Sequence, residues 1–293
     1  MTLKGHGRYG YMPITRRSAD TWPNGTRLAV YFVLGVEEYA FGEGITENII
    51  PGSPQPDLVN TSWRDYGNRV GGFRILDKFE RSGVPLSILL NSEVYDHAPA
   101  VTDAFRAAGC PVIAHGLSNT DCLSDMNEAD EAAYLTMTRR RITEVEGKAP
   151  MGWSSPWLAH SARTIDLLAE NGYGYVLDFG LDERPVWLRA RSGRLLHIPY
   201  ALELNDSATE IGRLATGRDF AGMIVDQFDE MLATADQPLV MSVAVHSFIT
   251  GQPFRLRPFA EAIDHIRAKG DAIWLTTPDA IYESVKDSPE LAV

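Results

Sequence analysis

No apolar run in the 293 residues approaches the 18 or so that a membrane-spanning helix needs, and the opening segment Met1 to Arg8 lacks the apolar core of an export signal. The chain is therefore expected to be cytoplasmic, with no membrane partner. Cysteine is scarce: Cys110 and Cys122 are too few for a disulfide framework and too far apart for a CxxC pair, so both are expected to be reduced and structural. Basic residues are in the minority, 27 against 39 acidic, and form no cluster among aromatics. At a formal net charge of -12 a polyphosphate is repelled, which excludes nucleic acid as an expected partner. Repeats, low-complexity tracts and interdomain linkers are also missing. With 44% hydrophobic residues the chain can build a sizeable core, and it is expected to form one domain over 1–293. Residues 1–26, rich in Gly, Pro and Arg, read as an irregular N-terminal arm.

What the chain does contain is a regular alternation of strand and helix patterns. Leu28 to Val36 is a buried strand, and a polar Gly/Pro-rich loop from Ala40 to Trp63 follows it. Val70, Phe73, Leu76 and Phe79 then mark one face of a helix over 66–81, with Gly83 as its stop. Further strands are predicted at 85–90, 112–114, 152–153, 175–178, 195–199, 239–245 and 272–275. Helices are predicted near 97–108, 128–146, 161–171, 219–235, 256–269 and 278–286. About eight strands with helices between them imply an α/β fold, an irregular (β/α) barrel.

In such a barrel, reactive side chains gather just beyond the strand ends, and three strands here end in suitable residues. Glu37-Glu38 follow the first strand, His115 and Asn119 follow Val112-Ile113-Ala114, and His246 follows the strand over 239–245. An ionised carboxylate buried in a strand costs several kcal/mol unless paired, so the acid pair suits a ligand-facing rim. A carboxylate, an imidazole and a further N/O donor around an open position suit Zn²⁺ or another divalent metal, although Asn is a weak ligand for such ions. Strand alternation points Glu37 and Glu38 to opposite sides unless the backbone bends. Trp63, Tyr66, Trp153, Trp157 and Trp187 offer either a flat pocket for a ring or anchors for the core. Arg64 and Asn205-Asp206 are candidates for substrate polar groups. His6, His97, His160, His197 and His265 read as structural.

These motifs resemble those of the polysaccharide deacetylase superfamily. Gly35-Val36-Glu37-Glu38 is similar to its Thr-Phe-Asp-Asp motif, His115-Gly116-Leu117-Ser118-Asn119 to His-x-x-x-His, Ser154-Ser155-Pro156-Trp157 to Arg-x-Pro-x, and Val245-His246-Ser247 to its C-terminal histidine motif. The departures resemble the branch of deacetylase-type allantoinases and cyclic imide hydrolases, as do Trp22 to Val30, Ser62 to Gly67, Ile198 to Asp206 and His246 to Arg255. The resemblance implies a deacetylase-type barrel that opens a small cyclic imide or amide, of the imide, hydantoin or allantoin kind. It implies Glu37 as base, His246 as acid or, in place of Asn119, as a metal ligand, and Glu38, His115 and Asn119 as ligands of Zn²⁺ or another divalent metal. Arg64, Tyr66, Trp153, Ser155, Pro156, Trp157 and Asn205 would bind substrate, with a backbone N–H near 155–157 facing the oxyanion. It also implies a homo-oligomer, tetramer or dimer. The rival readings are a carbohydrate N-deacetylase and a non-catalytic small-molecule-binding barrel.

Overall fold

The computed structural model describes residues 5–293, so residues 1–4 of the arm lie outside the described residues. The rest of the arm wraps the body of the protein. Arg8 pairs with Asp166 at 2.5 Å and Arg17 with Asp182 at 2.5 Å. Trp22 is buried, and its indole N–H donates to the Leu239 carbonyl at 2.9 Å.

Nine strands form one sheet among the described residues: β1 (Leu28–Val36), β2 (Ser87–Leu90), β3 (Val112–Ala114), β4 (Gly152–Trp153), β5 (Tyr175–Val176), β6 (Val186–Ala190), β7 (Gly193–His197), β8 (Leu239–His246) and β9 (Trp274–Thr276). Their order is β6-β7-β5-β4-β3-β2-β1-β8, with β9 also on β1, and every pairing is parallel except that of β6 with β7. The sheet curls without closing. The gap beyond β8 is spanned by a single parallel bridge from Asn205 to Ala244. This is the expected irregular barrel in half-barrel form.

β1 is the hub, and its nine residues are all buried. Side chains alternate across a strand. Leu28, Val30, Phe32, Leu34 and Val36 join the layer under the helices, while Ala29, Tyr31 and Val33 join the layer inside the curl. Phe32 meets Phe79 and Phe259 edge-on at centroid distances of 5.4 and 6.3 Å. Burial of such a ring is worth about 1.5–3 kcal/mol. Extended past the strand end, the inner row continues through Gly35 to Glu37.

The helices are α1 (Leu58–Tyr66), α2 (Gly72–Ser82), α3 (Val94–His97), α4 (Pro99–Ala107), α5 (Glu128–Glu146), α6 (Thr164–Glu170), α7 (Gly217–Thr234), α8 (Pro253–Arg267) and α9 (Pro278–Asp287). Three features differ from the sequence expectation. The loop after β1 ends earlier than Trp63, at α1, which is capped by the Asp57 carboxylate accepting from Asn60 N–H. The helix expected over 66–81 is interrupted by a π-helical turn, Gly67–Gly71. β6 is an additional strand, pairing with β7 across the Arg191-Ser192 turn.

Candidate active site

Glu37 lies at the inner mouth of β1, with its side chain almost fully buried. Its Oε1 sits 3.6 Å from His115 Nε2 and 3.4 Å from His246 Nε2. Its Oε2 accepts from the Tyr39 hydroxyl at 2.7 Å and from Asn119 Nδ2 at 3.2 Å. The ends of β1, β3 and β8 thus bring the acid and both imidazoles to one point. Gly35 makes this approach possible, because a Cβ there would lie 2.7 Å from Glu37 Oε1 and 3.0 Å from His246 Cδ2.

Each imidazole is fixed from behind. His115 Nδ1 faces the Ser154 carbonyl at 2.8 Å; a carbonyl only accepts, so Nδ1 carries a proton and Nε2 faces the cavity. His246 Nδ1 donates to Asp206 Oδ1 at 2.6 Å, while Asp206 Oδ2 accepts from the His246 backbone N–H at 2.9 Å and the Thr250 hydroxyl at 2.6 Å. Burial works against charging His246, but the carboxylates of Glu37 and Asp206 outweigh it and raise its pKa to about 10. Burial likewise opposes ionisation of Glu37, yet His246, His115 and Tyr39 together hold it below the ordinary carboxylate range. At neutral pH the centre is a carboxylate facing an imidazolium.

The metal-ligand expectation does not survive at Glu38. Because side chains alternate along the strand, Glu37 turns inward and Glu38 turns out, where its carboxylate lies 3.2 Å from His97 Nδ1 and 3.4 Å from Asn68 Nδ2. His97, expected to be structural only, is the partner that holds it there. Asn119 aims its amide nitrogen at Glu37 and Tyr39, so it acts as a donor to the carboxylate. Without a metal, Glu37 and Asp206 hold His246 in its protonated form, which offers no lone pair. That leaves one carboxylate and one imidazole, short of the three protein ligands of a catalytic zinc. No group of three His, Cys, Asp or Glu among the described residues is arranged to hold a metal ion. The donor set does not fit a divalent metal.

The cavity in front of Glu37 has a volume of about 170 Å³, below the roughly 300–1,000 Å³ of sites for drug-sized ligands. Ser155, Trp157 and Asn205, three of the residues expected at the substrate, line it. Trp157 takes a left-handed backbone at φ 57° and donates its indole N–H to the Asn119 carbonyl at 2.6 Å. Other expected contacts are corrected. Arg64 lies behind the wall, donating to the Glu47 carbonyl and stacking over Tyr39 at 5.0 Å. Tyr66 donates to the Gly251 carbonyl at 3.2 Å, away from the cavity. Trp153 is a core anchor, buried on β4 and edge-on to Tyr173. Pro156 is buried beside the cavity without lining it. Trp63 packs on Phe248, and Trp187 lies under Arg194 at 3.7 Å. Ser155 N–H is taken by Asp178 at 2.8 Å and Pro156 has no N–H, so of that stretch only Trp157 N–H can face an oxyanion.

Sequence reasoning missed three residues. Tyr39 orders the Glu37 carboxylate, and its position two residues on was the only signal for it. Asp206 was seen as a substrate contact, whereas its carboxylate orients His246. Glu47 comes from the polar loop after β1 and lines the cavity, with its Oε1 accepting from Ser207. Burial, helped by Glu37 and Asp206 against His246, pushes its pKa up to about 7.

Comparison with known proteins agrees with this architecture. Residues 64–176 match the family described as polysaccharide deacetylase. The structure of PuuE allantoinase superposes with a TM-score of 0.80 at 29% identity, covering 91% of this chain and 93% of that one. A probable polysaccharide deacetylase from Pseudomonas aeruginosa PAO1 gives 0.80 at 28% identity, over 91% and 93%. A peptidoglycan deacetylase from Helicobacter pylori is 23% identical over 81% of this chain and 91% of its own. The matched segment, the shared half-barrel and the residues at its mouth make this chain similar to polysaccharide deacetylases, hydrolases that act on carbon–nitrogen bonds.

Proposed function

We propose that this site hydrolyses one ring carbon–nitrogen bond of a small cyclic imide or amide, of the imide, hydantoin or allantoin kind. The observation that carries the reading is the meeting of Glu37 with the Nε2 atoms of His115 and His246, at 3.6 and 3.4 Å, on a cavity of about 170 Å³. Water held between Glu37 Oε1 and His115 Nε2 attacks a ring carbonyl, and Glu37 takes its proton as the new C–O bond forms. The oxyanion lies against Trp157 N–H. As the C–N bond breaks, the His246 imidazolium gives its Nε2 proton to the departing nitrogen. Transfer of the captured proton from Glu37 to His246 then restores the starting state. The product acid loses its proton to solvent.

Polysaccharide deacetylases generally use a divalent metal, and no step here is routed through one because the donors do not fit it. An imide nitrogen leaves more readily than a simple amide nitrogen, since the second carbonyl spreads its charge. Less electrophilic help is then required. The small cavity and the likeness to PuuE allantoinase favour a ring over a saccharide chain. The family match and the Helicobacter pylori relative favour a second reading, a carbohydrate N-deacetylase. Assays of succinimide, hydantoin, allantoin and N-acetylglucosamine oligomers separate the two. Turnover of a ring, abolished by about 10³-fold or more in Glu37→Gln, is the expected result. Release of acetate from the sugar alone overturns the reading.

A further inference from the structure

The polar loop after β1 places a second acid in the cavity that the reaction above does not use. Glu47 is 8% exposed, and it lines the cavity together with Glu37 and His246. One of its oxygens, Oε1, accepts from Ser207, which also lines the cavity. The other, Oε2, is buried and has no partner. Arg64 holds the backbone of this segment from behind through the Glu47 carbonyl. A buried oxygen without a partner costs stability unless something meets it, and the cavity that Glu47 lines is where a ligand sits.

We propose that Glu47 is the residue that reads the substrate: as a neutral acid it grips the amide edge of a ring, Oε2–H donating to the ring carbonyl and Oε1 accepting from the ring N–H. This rests on the ring-opening reading above and names the feature selected. Two-point pairing of that kind requires the carbonyl and the N–H on the same side of the C–N bond. A five- or six-membered ring enforces that cis arrangement, whereas an acyclic amide such as an N-acetyl group is held trans. Glu47 thus separates rings from acetylated sugars by amide geometry. The gripped amide is the leaving half of the ring. When the bond to the other carbonyl breaks, negative charge passes through nitrogen to the carbonyl oxygen that Glu47 holds, and the hydrogen bond strengthens. Burial, with Glu37 and Asp206 nearby, outweighs His246 and Arg64 and keeps the carboxyl protonated to an appreciable degree at neutral pH.

The test compares succinimide with N-methylsuccinimide, which lacks the N–H, in wild type, Glu47→Gln and Glu47→Leu. Gln keeps a donor and an acceptor on one planar head; Leu keeps neither. On succinimide, Leu is expected to lower kcat/KM by about 10–100-fold and Gln to recover most of it. Wild type and Gln are expected to favour succinimide over its N-methyl form, a preference that Leu abolishes. If Leu lowers both substrates by the same factor, or lowers neither, Glu47 does not read the N–H and the proposal falls while ring opening stands. If wild type neither binds nor turns over succinimide, both fall together. Far-UV circular dichroism of each variant checks the fold, and the Gln result decides the matter where Leu fails to fold.

Discussion

At the scale of single residues, the account turns on how the protein keeps His246 charged. Asp206 meets its Nδ1 at 2.6 Å and Glu37 its Nε2 at 3.4 Å, and between them they overcome the burial that would discharge it. His246 donates only when protonated, so the rate should decline as pH rises through its pKa near 10. Asp206→Asn removes one of the two charges. Its high-pH limb is expected to fall at a lower pH than in wild type, with kcat reduced by about 10²–10³-fold, as a pH–rate profile would reveal. An unmoved limb would mean that another group is the acid. Stability follows with a definite sign. The folded pKa lies above the unfolded value of about 6.5, so the favourable contribution is complete below that pH and is lost as pH rises toward about 10. Thermal melts from pH 6 to 10 should show wild type losing more stability than Asp206→Asn over that interval.

At the scale of elements, glycines decide what can approach what. Gly35 lets Glu37 and His246 come together across β1 and β8, and Gly67 and Gly71 let the interrupted helix α1–α2 settle on the turn after β8, where a Cβ would collide with Ser247. Gly35→Ala is expected to lower kcat by about 10²-fold or more while far-UV circular dichroism stays native, since the intruding atom meets movable side chains. Gly71→Ala meets backbone and is expected to cost about 1–3 kcal/mol, read as a lower Tm. If Gly35→Ala retains full activity, the separation of Glu37 from His246 is not critical.

Elements that bury an apolar face were legible in the sequence for a physical reason: periodicity records burial of apolar groups. α2 follows from it, while β1 and β8 are read from continuous apolar runs. α1 left no such trace because its buried residues are Asn60 and Arg64, with Leu58 and Val59 exposed. The positions of Glu37, His115 and His246 just after strands pointed to a shared centre. Period-two alternation already held the answer for Glu38, which it sends to the opposite face. Glu47 was not legible, since a carboxylate in a long polar loop looks solvated until the fold encloses it.

At the scale of the whole molecule, a half-barrel with a parallel hub gathers the ends of β1, β3 and β8 at one mouth, and the loop after β1 covers it. The same architecture serves the deacetylases that this chain resembles. Here the outward carboxylate of Glu38, the amide donor at Asn119 and the charged His246 leave acid–base chemistry without the ligands of a metal centre. The measurement that tests this most directly is kcat/KM for succinimide after exhaustive chelation, with residual metal quantified in the same sample. The account predicts a value within about two-fold of the untreated protein at negligible metal content. Loss of turnover that a stoichiometric addition of zinc or another divalent ion restores would contradict it.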